Sequence, residues 1–150
     1  MAVSALEELP SWARGLLERS RVARLSYLDD RDHPRVVPVT YACSGGVLWT
    51  AIDGKPKEKP PGRIARVRYL RRCPRGALCV DHYSDDWSEL AWVQALGQVR
   101  VVGLEETDAE GRPAVAALTA KYERYKREPP EGPLLGLAPE RILSWRATDG

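Results

Sequence analysis

Apolar residues alternate with polar ones through much of this chain, and the alternation marks most of its elements. In residues 22–29, VARLSYLD, the side chains of Ala23, Leu25 and Tyr27 share one face at period two, which predicts a half-buried strand. The turn signal DDRDHP follows, and RVVPVTYAC then predicts a second strand rich in Val and Thr. Ser-Gly-Gly at 44–46 reads as a hairpin turn and VLWTAID as a third strand, so residues 22–53 are expected to form a three-stranded antiparallel meander. Pro38 sits inside the second strand. Proline cannot donate to a ladder, so this strand belongs at an edge or is bulged there. Neighbouring backbone groups are then free for something other than a strand, although a proline that merely blocks edge-to-edge aggregation explains the pattern equally well.

Other segments change period. Ser4 and Glu7 form an S-x-x-E capping box, and Trp12, Ala13, Leu16 and Leu17 give a helical stripe ending near Ser20, in one helix or two pieces. In RIARVRYLRR the spacing of Ile64, Val67 and Leu70 predicts a short helix with one buried stripe, stopped by Pro74 and Gly76. ALCVDHY is a fourth strand. LAWVQALGQVRVVGLEE is a long strand region with a bulge expected at Gly97. PAVAALTAKYERYKRE is a helix opened by Pro113, with Val115, Leu118, Tyr122 and Tyr125 on its buried face. EPPEGPLLGLAPE reads as a Pro/Gly-rich loop and RILSWRA as the last strand. Six strands, mostly antiparallel, with three helices at the joints describe a mainly β domain: a small six-stranded antiparallel barrel with helical covers, in one unit spanning 1–150. There is no alternation of strand and helix that would favour a parallel doubly wound fold.

Composition adds mostly exclusions. Hydrophobic residues are 43% and charged residues 29%, which is ordinary for a globular protein. No apolar run approaches the roughly 20 residues needed to span a bilayer. MAVSALEELPSWARG has acids where a signal peptide would have bases, so a cytoplasmic protein is expected. Three cysteines without a C-x-x-C, and two histidines, predict neither a disulfide framework nor a metal site. G-x-G-x-x-G, P-loop, H-E-x-x-H and G-x-S-x-G patterns are absent. The acid pairs Asp29–Asp30 and Asp85–Asp86 lie in turns, where Asp is expected for local hydrogen bonding. No side chain is assigned as catalytic, although Tyr41 and Tyr83 are able to donate a proton. A chain of this kind can still be an enzyme if a cofactor carries the chemistry.

Charge supplies one further feature. Net charge is +2, yet residues 51–75 hold nine bases and two acids. Lys55 and Lys57 follow directly from the third strand, and at i and i+2 two lysines can reach the same side and clasp one phosphate. Arg63, Arg66, Arg68 and Arg71 surround the buried stripe of the short helix and read as a solvated face.

Taken together, VVPVTYAC, GKPKEK, YLRRCPRGALCVDHYSDDW and LAWVQALGQVRVV resemble the pyridoxamine-phosphate-oxidase-like split β-barrels, most of all their deazaflavin (coenzyme F420)-dependent reductase branch. The resemblance covers residues 10–147. It implies a split β-barrel oxidoreductase, dimeric, with two cofactor sites at the subunit interface. Carried over by position, it implies Val37, Pro38, Val39 and Thr40 along the flavin-type ring, Trp49 and Thr50 on the next strand, and Lys55 and Lys57 on the anionic part of the cofactor. Relatives often carry Asn within the short helix where this chain has Tyr69. The family also includes FMN binders, so FMN is the alternative cofactor, and the fold alone does not choose. Deazaflavin F420 carries a phosphate and a polyglutamyl tail, which suits a basic run longer than one phosphate needs. A nucleic-acid-binding barrel is the reading from another class, weakened by the lack of a neighbouring row of exposed aromatics. The strand around Trp92 is apolar on both faces, more than a one-sided antiparallel sheet needs. That predicts a homodimer with Trp92 near the shared site, the other reading being a core tryptophan within one barrel.

Overall fold

A computed structural model describes residues 1–52, 64–103, 109–130 and 132–147, and these form eight strands and four α-helices. The strands are β1 (Ala2–Val3), β2 (Ala23–Leu28), β3 (Pro34–Val39), β4 (Ala42–Ser44), β5 (Val47–Ala51), β6 (Arg75–His82), β7 (Ala91–Val102) and β8 (Leu134–Arg146). The helices are α1 (Ser11–Arg19), α2 (Ala65–Arg72), α3 (Gly111–Lys121) and α4 (Glu123–Arg127). Every pairing is antiparallel, in the order β3-β2-β6-β7-β8-β5-β4, with β1 on β8. The result is a mainly β fold built on one curled antiparallel sheet, as the periodicity predicts, with two strands more than the six expected.

The expected meander is not formed. RVVPVTYAC is two strands, β3 and β4, at the two opposite edges of the sheet. The reason is the length of β2: Val39 pairs with Ala23, the first residue of β2, so nothing remains opposite Thr40 and Tyr41. The chain leaves the sheet there and rejoins it at the far edge. Pro38 lies on an edge strand, one of the two placements that its missing N–H allows. The hairpin at 44–46 is present, with Gly45 and Gly46 at φ 61° and 75°, the left-handed pair that a tight β4–β5 turn demands.

Two cores flank the sheet. Leu25, Leu48, Leu78, Val80, Val93, Leu137 and Ile142 fill the inner one, and α1 and α2 add Leu16, Leu17, Val67 and Leu70. The second lies under α3 and α4, where Trp49, Val102, Leu118 and Leu134 meet. β5 is buried on both sides, so Leu48 serves the first core while Val47 and Trp49 serve the second.

The remaining differences from expectation have local causes. The stretch read as a Pro/Gly-rich loop up to 140 is in large part the start of β8. Leu134 to Leu137 pair on one side with β5 and on the other with β7, and double burial outweighs the propensity of Gly136. Gly136 is needed there, because a Cβ would stand 2.5 Å from the Trp49 ring. The bulge falls at Leu96/Gly97 as expected, but the extra residue, Glu140, is on β8. The helix read over 113–128 begins at Gly111 and breaks at Tyr122, whose backbone is extended. Ser4 bonds to Glu8 rather than capping with Glu7, and α1 begins only after Pro10. The turn aspartates behave as expected: Asp29 accepts the Arg31 and His33 amides at 2.9 Å, and Asp86 accepts that of Ser88. The backbone bond from His33 is the main cause holding the Asp29 carboxyl below its ordinary value.

At Gly97 a Cβ would lie 2.0 Å from the Ala138 carbonyl oxygen, in backbone that cannot move aside. Gly97→Ala should therefore destabilise the protein by about 3 kcal/mol or more, read as a lowered urea midpoint. A midpoint equal to wild type would show that β7 and β8 do not approach so closely.

Candidate functional site

The crossing of the chain from β3 to β4 creates the most chemically furnished cavity. Tyr41 is fully buried, and its hydroxyl donates to the Leu17 carbonyl at the end of α1. Its amide, which has no ladder partner, donates to the Tyr122 hydroxyl at 3.1 Å. That hydroxyl stands 2.9 Å from the Arg21 carbonyl and 3.1 Å from the Tyr41 carbonyl, so it bridges the crossing to the start of β2. Burial pushes the Tyr122 hydroxyl up from its ordinary pKa, against the Tyr41 bond, which acts to lower it. The break between α3 and α4 is what turns Tyr122 toward the crossing. Arg21 lies over the Tyr122 ring at 4.7 Å and donates to the Lys121 carbonyl, which closes the cluster.

Beside this knot lies a cavity of about 340 Å³. One wall is the edge of β3, Pro38 and Val39, which has no neighbouring strand among the described residues, with Thr40 at the start of the crossing. Thr50 and Ala51 of β5 form a second wall, and the Thr50 side chain is buried. Tyr125 of α4 closes the site, with its hydroxyl 2.7 Å from Thr40 Oγ1. Two hydroxyls thus meet beside the apolar Pro38–Val39 end of β3. Arg66 from the first turn of α2, together with Arg124 and Glu128, completes the lining. Arg66 Nε is sealed from solvent and has no hydrogen-bond partner among the described residues. Such an orphan donor costs about 1–3 kcal/mol, so a protein seldom keeps one without a use.

The residues singled out in the sequence divide. Pro38, Val39, Thr40 and Thr50 come together at the cavity. Val37 is half-buried and packs against the inner core instead. Trp49 is on the other face of β5, beneath α3, where its Nε1 donates to the Ser44 carbonyl at 3.1 Å. Lys55 and Lys57 lie outside the described residues. Trp92 is half-buried on the outer face of the sheet, paired with Asp81 on one side and Trp145 on the other, and it does not line this cavity. Tyr69, where relatives often carry Asn, stacks on Tyr27 with 6.3 Å between ring centroids.

Arg66 reads from the sequence as a solvated helix face, and neither Tyr125 nor Arg124 is a site candidate there. Tyr122 and Tyr125 were legible as a buried helix face, but not as hydroxyls with partners. The chain has no phenylalanine, so tyrosine also serves as its general large aromatic and carries no special signal.

A second depression, of about 380 Å³, lies near Cys43 and Lys121. Burial pushes the Cys43 thiol up to about 11 and the Lys121 ammonium down to about 8. The ammonium sits 3.8 Å from the centroid of the Tyr41 ring, a contact that holds the crossing rather than a ligand. Among the described residues there is no cluster of three or more His, Cys, Asp or Glu able to hold a metal. None of their helices is long and apolar enough to cross a membrane.

A family model described as pyridoxamine 5'-phosphate oxidase matches residues 9–146. The chain belongs to the pyridoxamine 5'-phosphate oxidase family. No curated protein matches it. Among solved structures, a conserved hypothetical protein from Mycobacterium tuberculosis is similar over 89% of this chain and 81% of its own, at 16% identity and a TM-score of 0.70. A FAD-binding protein from Mesorhizobium loti is similar over 96% of this chain and 94% of its own, at 20% identity and a TM-score of 0.64. An F420 reductase is similar over 90% of this chain and 98% of its own, at 19% identity and a TM-score of 0.64. At these identities the likeness is one of fold, and it places this member of the oxidase family on a shared split-barrel scaffold.

The knot at Tyr122 generates a direct test. Tyr122→Phe keeps the ring and strands the buried Tyr41 amide, so stability should fall by about 1–3 kcal/mol in urea denaturation. Unchanged stability would mean that the crossing is held by packing alone.

Proposed function

We propose that the protein is a flavin- or deazaflavin-type oxidoreductase that binds the ring of its cofactor in the cavity beside Thr40. The observation that carries this is the cavity wall itself: a free strand edge from Pro38 to Thr40, with the Thr40–Tyr125 hydroxyl pair beside it. A flat heteroaromatic ring with polar atoms on its rim suits one apolar wall and a few convergent polar groups. Membership of the oxidase family supports the reading, as do neighbours described as an F420 reductase and a FAD-binding protein.

Within this class the cofactor is coenzyme F420, with FMN the second reading. The basic run from Lys55 to Arg75 favours the ligand with several negative charges in line, and Lys55 and Lys57 take its anionic part. When bound, such a cofactor supplies the hydride chemistry. The protein's own part is to orient the ring against β3, to keep water out with Val39 and Ala51, and to hold polar rim atoms with Thr40, Thr50 and Tyr125. No side chain is assigned as a proton donor.

The site is shared between two copies of the chain. Trp92, Leu96, Leu143 and Trp145 lie on the outer side of β7 and β8 and belong to neither core, and Trp145 is 40% exposed. A second subunit is the cover this surface calls for, and Trp92 would be a hot spot within it. Light scattering should give twice the chain mass at micromolar concentration. A clean monomer would remove the shared site.

Protein mixed separately with purified F420 and FMN, then filtered, should retain the absorbance of F420. Retention of FMN alone selects the second reading, and retention of an oligonucleotide in place of either would turn attention to nucleic acid. Lys55→Ala with Lys57→Ala should weaken the retained cofactor by about 1.5–3 kcal/mol for each charged hydrogen bond lost, with little effect on folding. Undiminished affinity in that variant would remove the anion contact from this loop.

A further inference from the structure

Lys121 ends α3, one residue before the break at Tyr122. A surface lysine ordinarily holds its ammonium in water or against a carboxylate. Lys126 does so, half-exposed and 3.2 Å from Glu123. Lys121 does neither. It is half-buried, and its Nζ stands 3.8 Å from the centroid of the Tyr41 ring and 5.4 Å from that of Tyr122. Among the described residues its amine has no carboxylate or hydrogen-bond partner. The depression of about 380 Å³ around it has walls from three elements: Leu17 and Glu18 of α1, Ala42 and Cys43 of β4, and Ala117 and Ala120 of α3 itself. Three alanines leave room beside the amine. Burial is the main cause that brings the ammonium down to about 8; Arg21 acts in the same direction and Cys43 against it. The Cys43 thiol, pushed up to about 11 by its own burial, stays protonated at neutral pH and is no rival nucleophile.

We propose that Lys121 is a covalent modification site: its amine, held in this depression against the Tyr41 ring, takes a small acyl group from an acyl phosphate. A lysine drawn partly out of water keeps a share of free base at neutral pH and is the nucleophilic kind. The ammonium first gives a proton to water, and the Nζ lone pair attacks the acyl carbonyl carbon. The bond from that carbon to the phosphate oxygen then breaks, and phosphate leaves with the electron pair. A second N–H proton passes to water, and an uncharged amide remains. Nothing is oxidised or reduced. The guanidinium of Arg21, exposed over the Tyr122 ring at 4.7 Å, is the cation at hand for the phosphate of the donor. The amide no longer carries a charge that needs hydration, so the half-buried position tolerates it. This site is separate from the cavity beside Thr40 and does not depend on what that cavity binds.

The full chain incubated with acetyl phosphate, with a blocked lysine amide in the same solution as reference, tests this by peptide mass spectrometry. At neutral pH Lys121 should be acetylated about tenfold faster than the reference amine, whose ordinary value near 10.4 keeps it almost wholly protonated. The Lys121 rate should rise with pH and level off above about 8, while the reference rate goes on rising. Ala120→Leu fills the depression from the exposed side of α3 with a good helix former, so it should remove most of the Lys121 advantage and leave the urea midpoint in place. The proposal is overturned if Lys121 reacts no faster than the reference, if its rate climbs through the whole range without levelling, or if a folded Ala120→Leu variant reacts as wild type does. Should that variant fail to fold, the wild-type pH profile decides by itself.

Discussion

The bond from the Tyr41 amide to the Tyr122 hydroxyl stands where the sheet ladder ends. β2 is too short to pair with the chain beyond Val39, and a buried backbone N–H needs an acceptor. Tyr122 supplies it from the break between α3 and α4, while the Tyr41 hydroxyl reaches back to α1. Three elements distant in sequence are thereby fixed to the same two residues. The sheet can then place β3 and β4 at opposite edges, and a cavity rather than a continuous ladder lies between the edge of β3 and the end of β5.

The same constraint decides which groups face that cavity. Since the chain leaves the sheet after Val39, the side of β3 away from β2 has no neighbouring strand among the described residues. Thr40 stands at the departure point, where its hydroxyl meets Tyr125. The break that turns Tyr122 toward Tyr41 also sets the start of α4, and with it the positions of Arg124 and Glu128. Polar and charged groups therefore gather at one end of an apolar core without a dedicated loop to carry them. Their chemistry is that of binding and orientation, which suits the proposed role of holding a cofactor.

Much of this was legible in the sequence, and the failures share a cause. Period-two segments such as VARLSYLD, and the glycine pair at 45–46, predicted strands and a turn because local chemistry alone specifies them. Pro38 narrowed β3 to an edge or a bulge, and the edge is where it lies. The split of RVVPVTYAC was not legible, because its residues favour strand throughout and the break is set by where β2 begins. The first half of β8 was hidden by Gly136 and Pro139, whose local preferences give way to pairing on both sides and to contact with Trp49. Pro38, Val39, Thr40 and Thr50, which line the cavity, were named from the family resemblance and not from any local pattern. Arg66 was passed over because a basic helix face looks solvated until the burial of one nitrogen is seen. Tyr125 was passed over because a helical stripe reports burial and not the partner of a hydroxyl.

Hydrogen–deuterium exchange with and without added F420 or FMN tests the central claim most directly, since it reports on the backbone that the crossing places at the cavity. The account predicts that the bound cofactor slows exchange in the segments containing Val39 to Tyr41, Thr50 to Ile52 and Tyr122 to Tyr125, while the segment of α3 before Lys121 changes little. Protection confined to the outer face of β7 and β8, or to the surroundings of Cys43 and Lys121, would contradict it.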